Sequence, residues 1–232
     1  MSVGIGRNIG RDNVTRLTEI EAVVFDLDGV LVDSDHVWHE VREGLARERG
    51  GRWSDQSEAD MSGMSSTEWS RYLHDVVGIS DPPEEINGEV VRRMRERYAA
   101  LPLVDGAADT VRRLGDSFRI ALASSSNRPL IDAVLSHSGL DEHFEATVSS
   151  EEVAHGKPSP DVFLEAARRL GVHPDRCAAI EDSANGLRAA RAAGMRVIAL
   201  PNRRYSPPAD ALALADVTLA SVGALTADVV RG

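Results

Sequence analysis

Ala22-Val23-Val24-Phe25-Asp26-Leu27-Asp28-Gly29 is the stretch that decides the fold. Its first four residues are apolar without alternation, the pattern of a strand covered on both faces in a parallel sheet. Two acids and a glycine follow, so the strand ends in a turn that carries carboxylates. The same arrangement recurs downstream. Arg119-Ile120-Ala121-Leu122-Ala123 runs into serines, Cys177-Ala178-Ala179-Ile180 into Glu181-Asp182, and Met195-Arg196-Val197-Ile198-Ala199-Leu200 into Pro201. Helical patterns occupy 106–114, 128–138, 160–170 and 184–193, with Gly171 and Gly194 where C-terminal caps belong. Such alternation predicts an α/β fold on a doubly wound parallel sheet. Its polar strand ends then converge on one crevice.

Residues 34–100 break this rhythm. They hold no strand pattern and read as helices at 37–49, 66–77 and 83–99, a helical subdomain inserted after the first strand. The linkers fall at 32–35 and 101–104, and a two-linker insertion beside a strand end acts as a lid. The chain thus divides into a flexible N-terminal extension (1–18), a core (19–33 with 101–232) and a helical cap (34–100).

The 232 residues suffice for a large buried core without disulfide or structural metal. The one cysteine, Cys177, lies in an apolar run and reads as a small core residue, in keeping with a reducing cytoplasm. A formal charge of -11 opposes binding to nucleic acid or anionic membranes, and no apolar stretch approaches the ~20 residues that span a bilayer. The first 18 residues show no apolar signal-peptide segment. Arg92, Arg93, Arg95 and Arg97 read as a solvated helix face. The expected state is a cytoplasmic monomer or weak homodimer.

Residues two apart in an extended segment point the same way, which turns Asp26 and Asp28 toward a shared space. Alone, the pair also fits an ordinary Asp/Gly turn. Glu181-Asp182, ending another strand, shifts the balance, because clustered carboxylates require a cation. Asp182 also fits as N-cap of the helix starting near Ala184. An all-oxygen set suits Mg²⁺, whereas Zn²⁺ draws more often on His and Cys. None of the seven histidines falls at a comparable strand end, and His36 and His39 read as surface residues. Ser124-Ser125-Ser126-Asn127 leads into a helix at Arg128-Pro129 and offers hydroxyls and backbone N–H groups to a phosphate. Gly156-Lys157-Pro158-Ser159-Pro160 holds a lysine between residues that restrain the backbone. The acids bring four negative charges against three positive from a divalent ion and Lys157, and a proton on Asp28 closes the balance.

Phe25 to Ser34, Leu122 to Ser126, Gly156 to Asp161 and Ile180 to Ser183 together resemble the four ordered motifs of the haloacid dehalogenase superfamily. The match runs from about residue 21 to residue 203. It is nearest the branch of β-phosphoglucomutase and sugar-phosphate phosphatases. The resemblance implies a Rossmann-like core with a helical cap, Mg²⁺ as cofactor and a small phosphorylated metabolite as substrate. It implies that Asp26 is the nucleophile and a metal ligand, forming an aspartyl-phosphate. Asp28 would be the general acid/base, with its backbone carbonyl on the metal. Ser124 and Lys157, with Ser125 beside them, would bind the transferring phosphoryl group. Asp182 would ligate the metal, with Glu181 behind it or coordinating through water.

Departures from the family pattern bear on the substrate. The mutase pattern has a Lys-Gly-x-Ser-Arg run in the cap; here Ser62-Gly63-Met64-Ser65-Ser66 lacks both cations, and Trp38 replaces an expected histidine beside His39. This disfavours a mutase, and a phosphonatase that needs a cap lysine. Asp28 argues against halide displacement. The leading expectation is an Mg²⁺-dependent phosphatase acting on a small phosphomonoester, such as a sugar phosphate. A phosphomutase and a non-catalytic phospho-acceptor module are the alternatives. Gly63, Ser65, Ser66 and Asn127 are candidate substrate contacts, with Trp53, Met61, Met64 and Trp69 as further pocket candidates.

Overall fold

The computed structural model describes residues 19–98, 100–202 and 206–232. The extension expected over 1–18 lies outside the described residues, as do Ala99, the end of the expected third cap helix, and Arg203, where the motif match ends. Among the described residues, six strands form one sheet: β1 (Ala22–Phe25), β2 (Arg119–Ser124), β3 (Ala146–Ser149), β4 (Cys177–Glu181), β5 (Arg196–Ala199) and β6 (Val217–Thr218). All pairs are parallel, in the order β3-β2-β1-β4-β5-β6. This is the doubly wound arrangement, with its switch point between β1 and β4. Asp26 leaves β1 at that point, between the end of β2 and the end of β4.

The apolar strand runs are explained by two buried clusters. Val23, Phe25, Ile120, Leu122, Ala178 and Ile180 belong to one; Ala22, Val24, Ala121, Ala123, Ala179 and Ala199 belong to the other. Alternate residues therefore serve opposite faces, and neither face is left to water. Helices α5 (Ala107–Gly115) and α6 (Arg128–Ser138) contribute to the first cluster. Helices α7 (Asp161–Leu170) and α8 (Ala184–Ala192) contribute to the second, where alanine-rich strands let them approach. The short helices α9 (Ala209–Leu212) and α10 (Ala227–Arg231) follow. Cys177 is buried, and burial pushes its thiol up to about 12, which leaves it unreactive.

Among the described residues, four α-helices come between β1 and α5: α1 (Asp35–Glu48), α2 (Asp55–Met61), α3 (Ser66–Tyr72) and α4 (Pro83–Tyr98). The helix expected over 66–77 is shorter, because its last turn widens into a π-helical segment, Leu73–Val77, that stops at Gly78 in the left-handed region (φ 86°). Helix α2 was not expected. Its sequence, Asp55-Gln56-Ser57-Glu58-Ala59-Asp60-Met61, has no apolar stripe, and it is started by a capping box between Ser54 and Ser57. Trp38, Trp69 and Tyr98 meet edge to face at centroid distances of 6.0 and 6.1 Å about Trp38. The first buried cluster continues from β1 through Leu27 and Leu31 to these rings, so cap and sheet share apolar packing.

The two strands the sequence does not announce are the edges. Ala146-Thr147-Val148-Ser149 is only half apolar and pairs solely with β2, and β6 is two residues long. Phe25, fully buried at the centre and edge-on to Phe144 at 6.4 Å, tests the core directly. Phe25→Ala is expected to cost about 3–5 kcal/mol, read as a lowered denaturation midpoint at unchanged slope.

Candidate active site

Lys157 is 1% exposed, and its ammonium lies at the crevice floor. It donates to Asp26 Oδ1 at 2.6 Å, to Glu181 Oε1 at 2.5 Å and to the Ala123 carbonyl at 3.1 Å. Three strand ends thus meet on one cation. Glu181 Oε2 accepts from the backbone N–H groups of Asp182 and Ser183 at 3.0 and 3.2 Å, and from the Ser183 hydroxyl at 3.1 Å. Both its oxygens are committed to protein donors. The N-cap role that the sequence left open for Asp182 belongs to Ser183, whose Oγ accepts from the Gly186 N–H at 3.1 Å. The Asp182 carboxylate is therefore free of that duty and receives an Asn202 amide at 3.2 Å.

Two glycines make this packing possible. A Cβ on Gly186 would stand 1.9 Å from the Glu181 carboxyl carbon. At Gly29 (φ 76°) a Cβ would stand 1.9 Å from Asp182 Oδ2. Asp26, Glu181 and Asp182 each offer an oxygen within 4.8 Å of the others. One lysine faces three buried carboxylates, a deficit of positive charge that a divalent cation fits. Glu181 is the least available of the three, so Asp26 and Asp182 are the side chains suited to hold the ion.

The proton inventory shows the same deficit. Burial pushes Asp26 up to about 8; Lys157 opposes this and the charges of Glu181 and Asp28 add to it. Burial, then Glu181 and Asp26, also raise Asp182 well above the ordinary carboxylate range. Burial acts against the Lys157 charge, but Asp26 and Glu181 outweigh it and hold the ammonium above its ordinary value.

Asp28 stands apart from the acidic cluster. Its Oδ1 accepts from the Ser34 and Tyr98 hydroxyls and from Trp38 Nε1 at 3.1 Å, and its Oδ2 from the Ser126 hydroxyl at 2.6 Å. Ser124 is fully buried and accepts from the Ser126 N–H at 3.0 Å. Ser125 donates to the Gly63 carbonyl at 2.9 Å, and Asn185 to the Ser62 carbonyl at 3.0 Å, so the cap loop sits directly on the core. Gly156 admits this approach, for a Cβ there would lie 2.5 Å from Ser65 Cβ.

Between cap and core lies a cavity of about 60 Å³, room for a few waters. Asp26, Asp28, Ser125, Lys157 and Asp182 line it from below; Gly63, Met61, Met64 and Trp69 line it from above. The other candidate substrate contacts lie elsewhere. Ser65 donates to Glu68 at 2.6 Å at the start of α3, and Ser66 is buried beside it. Asn127 donates to Asn87 of the cap at 3.3 Å and to Glu151 at 2.7 Å. Trp53 packs on His39 at 5.8 Å. Sequence reasoning missed Arg42 and Glu58, which line the cavity as an ion pair of 3.3 Å, and the hydroxyl of Tyr98. A signal for Arg42 existed, since Trp38, Val41, Arg42 and Leu45 form one stripe of α1 with a cation on its buried side.

The model of one family, haloacid dehalogenase-like hydrolase, matches residues 20–194. Hexitol phosphatase B of Escherichia coli is 33% identical over 222 residues, covering 90% of this chain and 96% of that protein. The bifunctional riboflavin kinase/FMN phosphatase of Arabidopsis thaliana is 35% identical over 182 residues, of which this chain spans only 48% of the length. Among solved structures, CbbY from Rhodobacter sphaeroides in complex with phosphate superimposes with a TM-score of 0.77 at 30% identity, over 89% of this chain and 96% of that one. A mutant of CbbY in complex with xylulose-(1,5)bisphosphate gives 0.77 at 29%, with the same coverage.

The raised Asp26 carboxyl sets a pH dependence. A folded-state value of about 8 against an ordinary 3.8 means that its proton supports the metal-free fold below about pH 4, and that this support is lost as pH climbs toward 8. Melting temperature in chelator should therefore fall across that interval, and saturating divalent cation should flatten the curve and release protons at pH 7. A flat chelator curve would contradict the charge deficit. Gly186→Ala offers a second check: on an open helix the change adds about 1 kcal/mol of helix stability, but here the methyl meets Glu181. The variant should melt lower and lose divalent-cation affinity.

Proposed function

The chain belongs to the haloacid dehalogenase-like hydrolases, and on that premise we propose that it is an Mg²⁺-dependent phosphatase. Its substrate would be a small phosphomonoester such as a sugar phosphate, hydrolysed through an aspartyl-phosphate on Asp26. The supporting observation is the meeting of Lys157, Asp26 and Glu181 beside Asp182 at the sheet's switch point. Phosphoryl transfer demands alignment and neutralised charge more than new chemistry from the protein, and this centre with a bound divalent ion would supply both. Residues 19–33 with 101–232 would form the catalytic core, and 34–100 the cap. Movement of the cap would govern admission of a phosphorylated sugar to the cavity beneath it.

In the proposed sequence, Asp26 attacks phosphorus and its O–P bond forms as the bond to the leaving oxygen breaks. Asp28 gives that oxygen a proton. The same carboxylate then takes a proton from water, which attacks phosphorus and returns Asp26 with release of inorganic phosphate. Lys157 stays charged throughout and, with Ser124 and the Ser125 backbone, binds the phosphoryl oxygens. Glu181 holds Lys157 in place. Mg²⁺, bound by Asp26, Asp182 and the Asp28 carbonyl, would supply charge neutralisation and alignment. The mutase alternative needs a free cap cation for a second phosphate, and Arg42 is engaged by Glu58.

Purified protein with Mg²⁺ should release phosphate from p-nitrophenyl phosphate, and Asp26→Asn should lower kcat by about 10³-fold or more. Unaltered turnover in that variant would reject the covalent step.

A further inference from the structure

Leu200-Pro201-Asn202 follows β5 and turns back onto the end of β4 that carries Asp182. The Leu200 N–H donates to the Glu181 carbonyl at 2.7 Å, which ties the segment to the residue before Asp182. Pro201 restricts its own φ, so the backbone has little freedom where Asn202 begins. The Asn202 amide donates to Asp182 Oδ2 at 3.2 Å and also to the Asp35 carboxylate. An amide nitrogen carries two N–H bonds, so one side chain serves two carboxylates. Gly29 leaves room for this contact, since a Cβ there would stand 1.9 Å from Asp182 Oδ2 and 3.4 Å from Asn202 Nδ2. Among the described residues, Asn202 is the one hydrogen-bond donor to the Asp182 carboxylate.

The chemistry of that donor matters. A carboxylate that is to hold a divalent ion must be oriented without losing its charge. A lysine or arginine in this place would cancel the charge that attracts the ion, whereas a neutral amide orients the ligand and leaves the charge intact. The second bond of the amide crosses from core to cap, because Asp35 is the first residue of α1. Ser34, one residue earlier, spends its hydroxyl on Asp28, so two successive side chains fasten the entry linker to the core. We propose that Asn202 is a positioning residue of the metal site, holding Asp182 for the ion and steadied in turn by Asp35 of the cap. The inference rests on the metal centre of the phosphatase reading and adds to it a link between ion affinity and the cap entrance. With Asp35 present the amide is pinned by two bonds; without it the side chain can turn away, and Asp182 loses its orientation. Ion affinity is thus set in part by a residue that does not line the cavity.

Isothermal titration of Mg²⁺ into the metal-free protein at about pH 7, without substrate, reads the affinity directly. Asn202→Ala should lower it about tenfold or more, the usual cost of removing the partner of a metal ligand. Raising Mg²⁺ should restore turnover of p-nitrophenyl phosphate in that variant, because the ligand is misplaced and not removed. Asp35→Ala should lower the affinity by a smaller factor. Asp35→Asn deletes the charge but keeps an acceptor oxygen for the amide, and it should recover most of that loss. Unaltered affinity in Asn202→Ala overturns the proposal, and equal losses in the two Asp35 variants overturn the tie to the cap. Absence of phosphate release with Mg²⁺ binding intact rejects the phosphatase reading alone, and the titration still decides the role of Asn202. Absence of Mg²⁺ binding by the unaltered protein overturns both.

Discussion

A single buried ammonium organises this molecule. Lys157 bridges Asp26 and Glu181, the residues just after β1 and at the end of β4, and fastens both to the Ala123 carbonyl near the end of β2. Removing one partner from such a pair leaves an uncompensated interior charge, which is far more damaging than the pair is stabilising. The consequences spread outward. Glu181 is held in a pose that lets its second oxygen gather the N–H groups opening α8. Gly186 must then lack a side chain, and Ser183 caps the helix, so Asp182 keeps its carboxylate for a cation. The crevice owes its chemistry to this chain of obligations more than to any residue alone.

Much of that centre was legible in the sequence because parallel sheets write their signal plainly. Strands buried on both faces appear as unbroken apolar runs, and polar residues at their ends must serve the crevice. Asp26, Lys157, Glu181 and Asp182 meet as their placement required. What stayed hidden was set by tertiary contact. The edge strand β3 is only half apolar and pairs with β2 alone, and α2 lacks an apolar stripe, its start being marked by a capping box. Ser65 and Ser66 look like binding residues in sequence, yet the first caps α3 and the second is buried at its start. Arg42 looks like a surface cation until Trp38 and Trp69 close over it.

Asp28 connects the two halves. Its carboxylate accepts from Ser34 and Trp38 at the beginning of the cap, from Tyr98 at the cap's end, and from Ser126 in the core. Both chain passages between cap and core therefore touch one side chain. A rigid-body movement of 34–100 cannot leave all four hydrogen bonds intact, because Ser126 does not move with the cap. The position of the cap and the hydrogen bonding of Asp28 are consequently one variable, so the surroundings of this carboxylate are coupled to whether the cavity is closed.

Charge is divided unevenly across the cavity. Below, Lys157 and the site suited to a cation face the carboxylates of Asp26, Glu181 and Asp182, so charge there is balanced only when a cation is bound. Above, Arg42 is cancelled by Glu58, and the remaining lining is Met61, Met64 and Trp69. In a chain of net charge -11, anions are repelled over most of the surface. On the phosphatase reading, the phosphate would sit at that centre with its cation, and the rest of the substrate would lie toward Met61, Met64 and Trp69. The orientation of an ester bound there would follow from this difference between the two sides of the cavity.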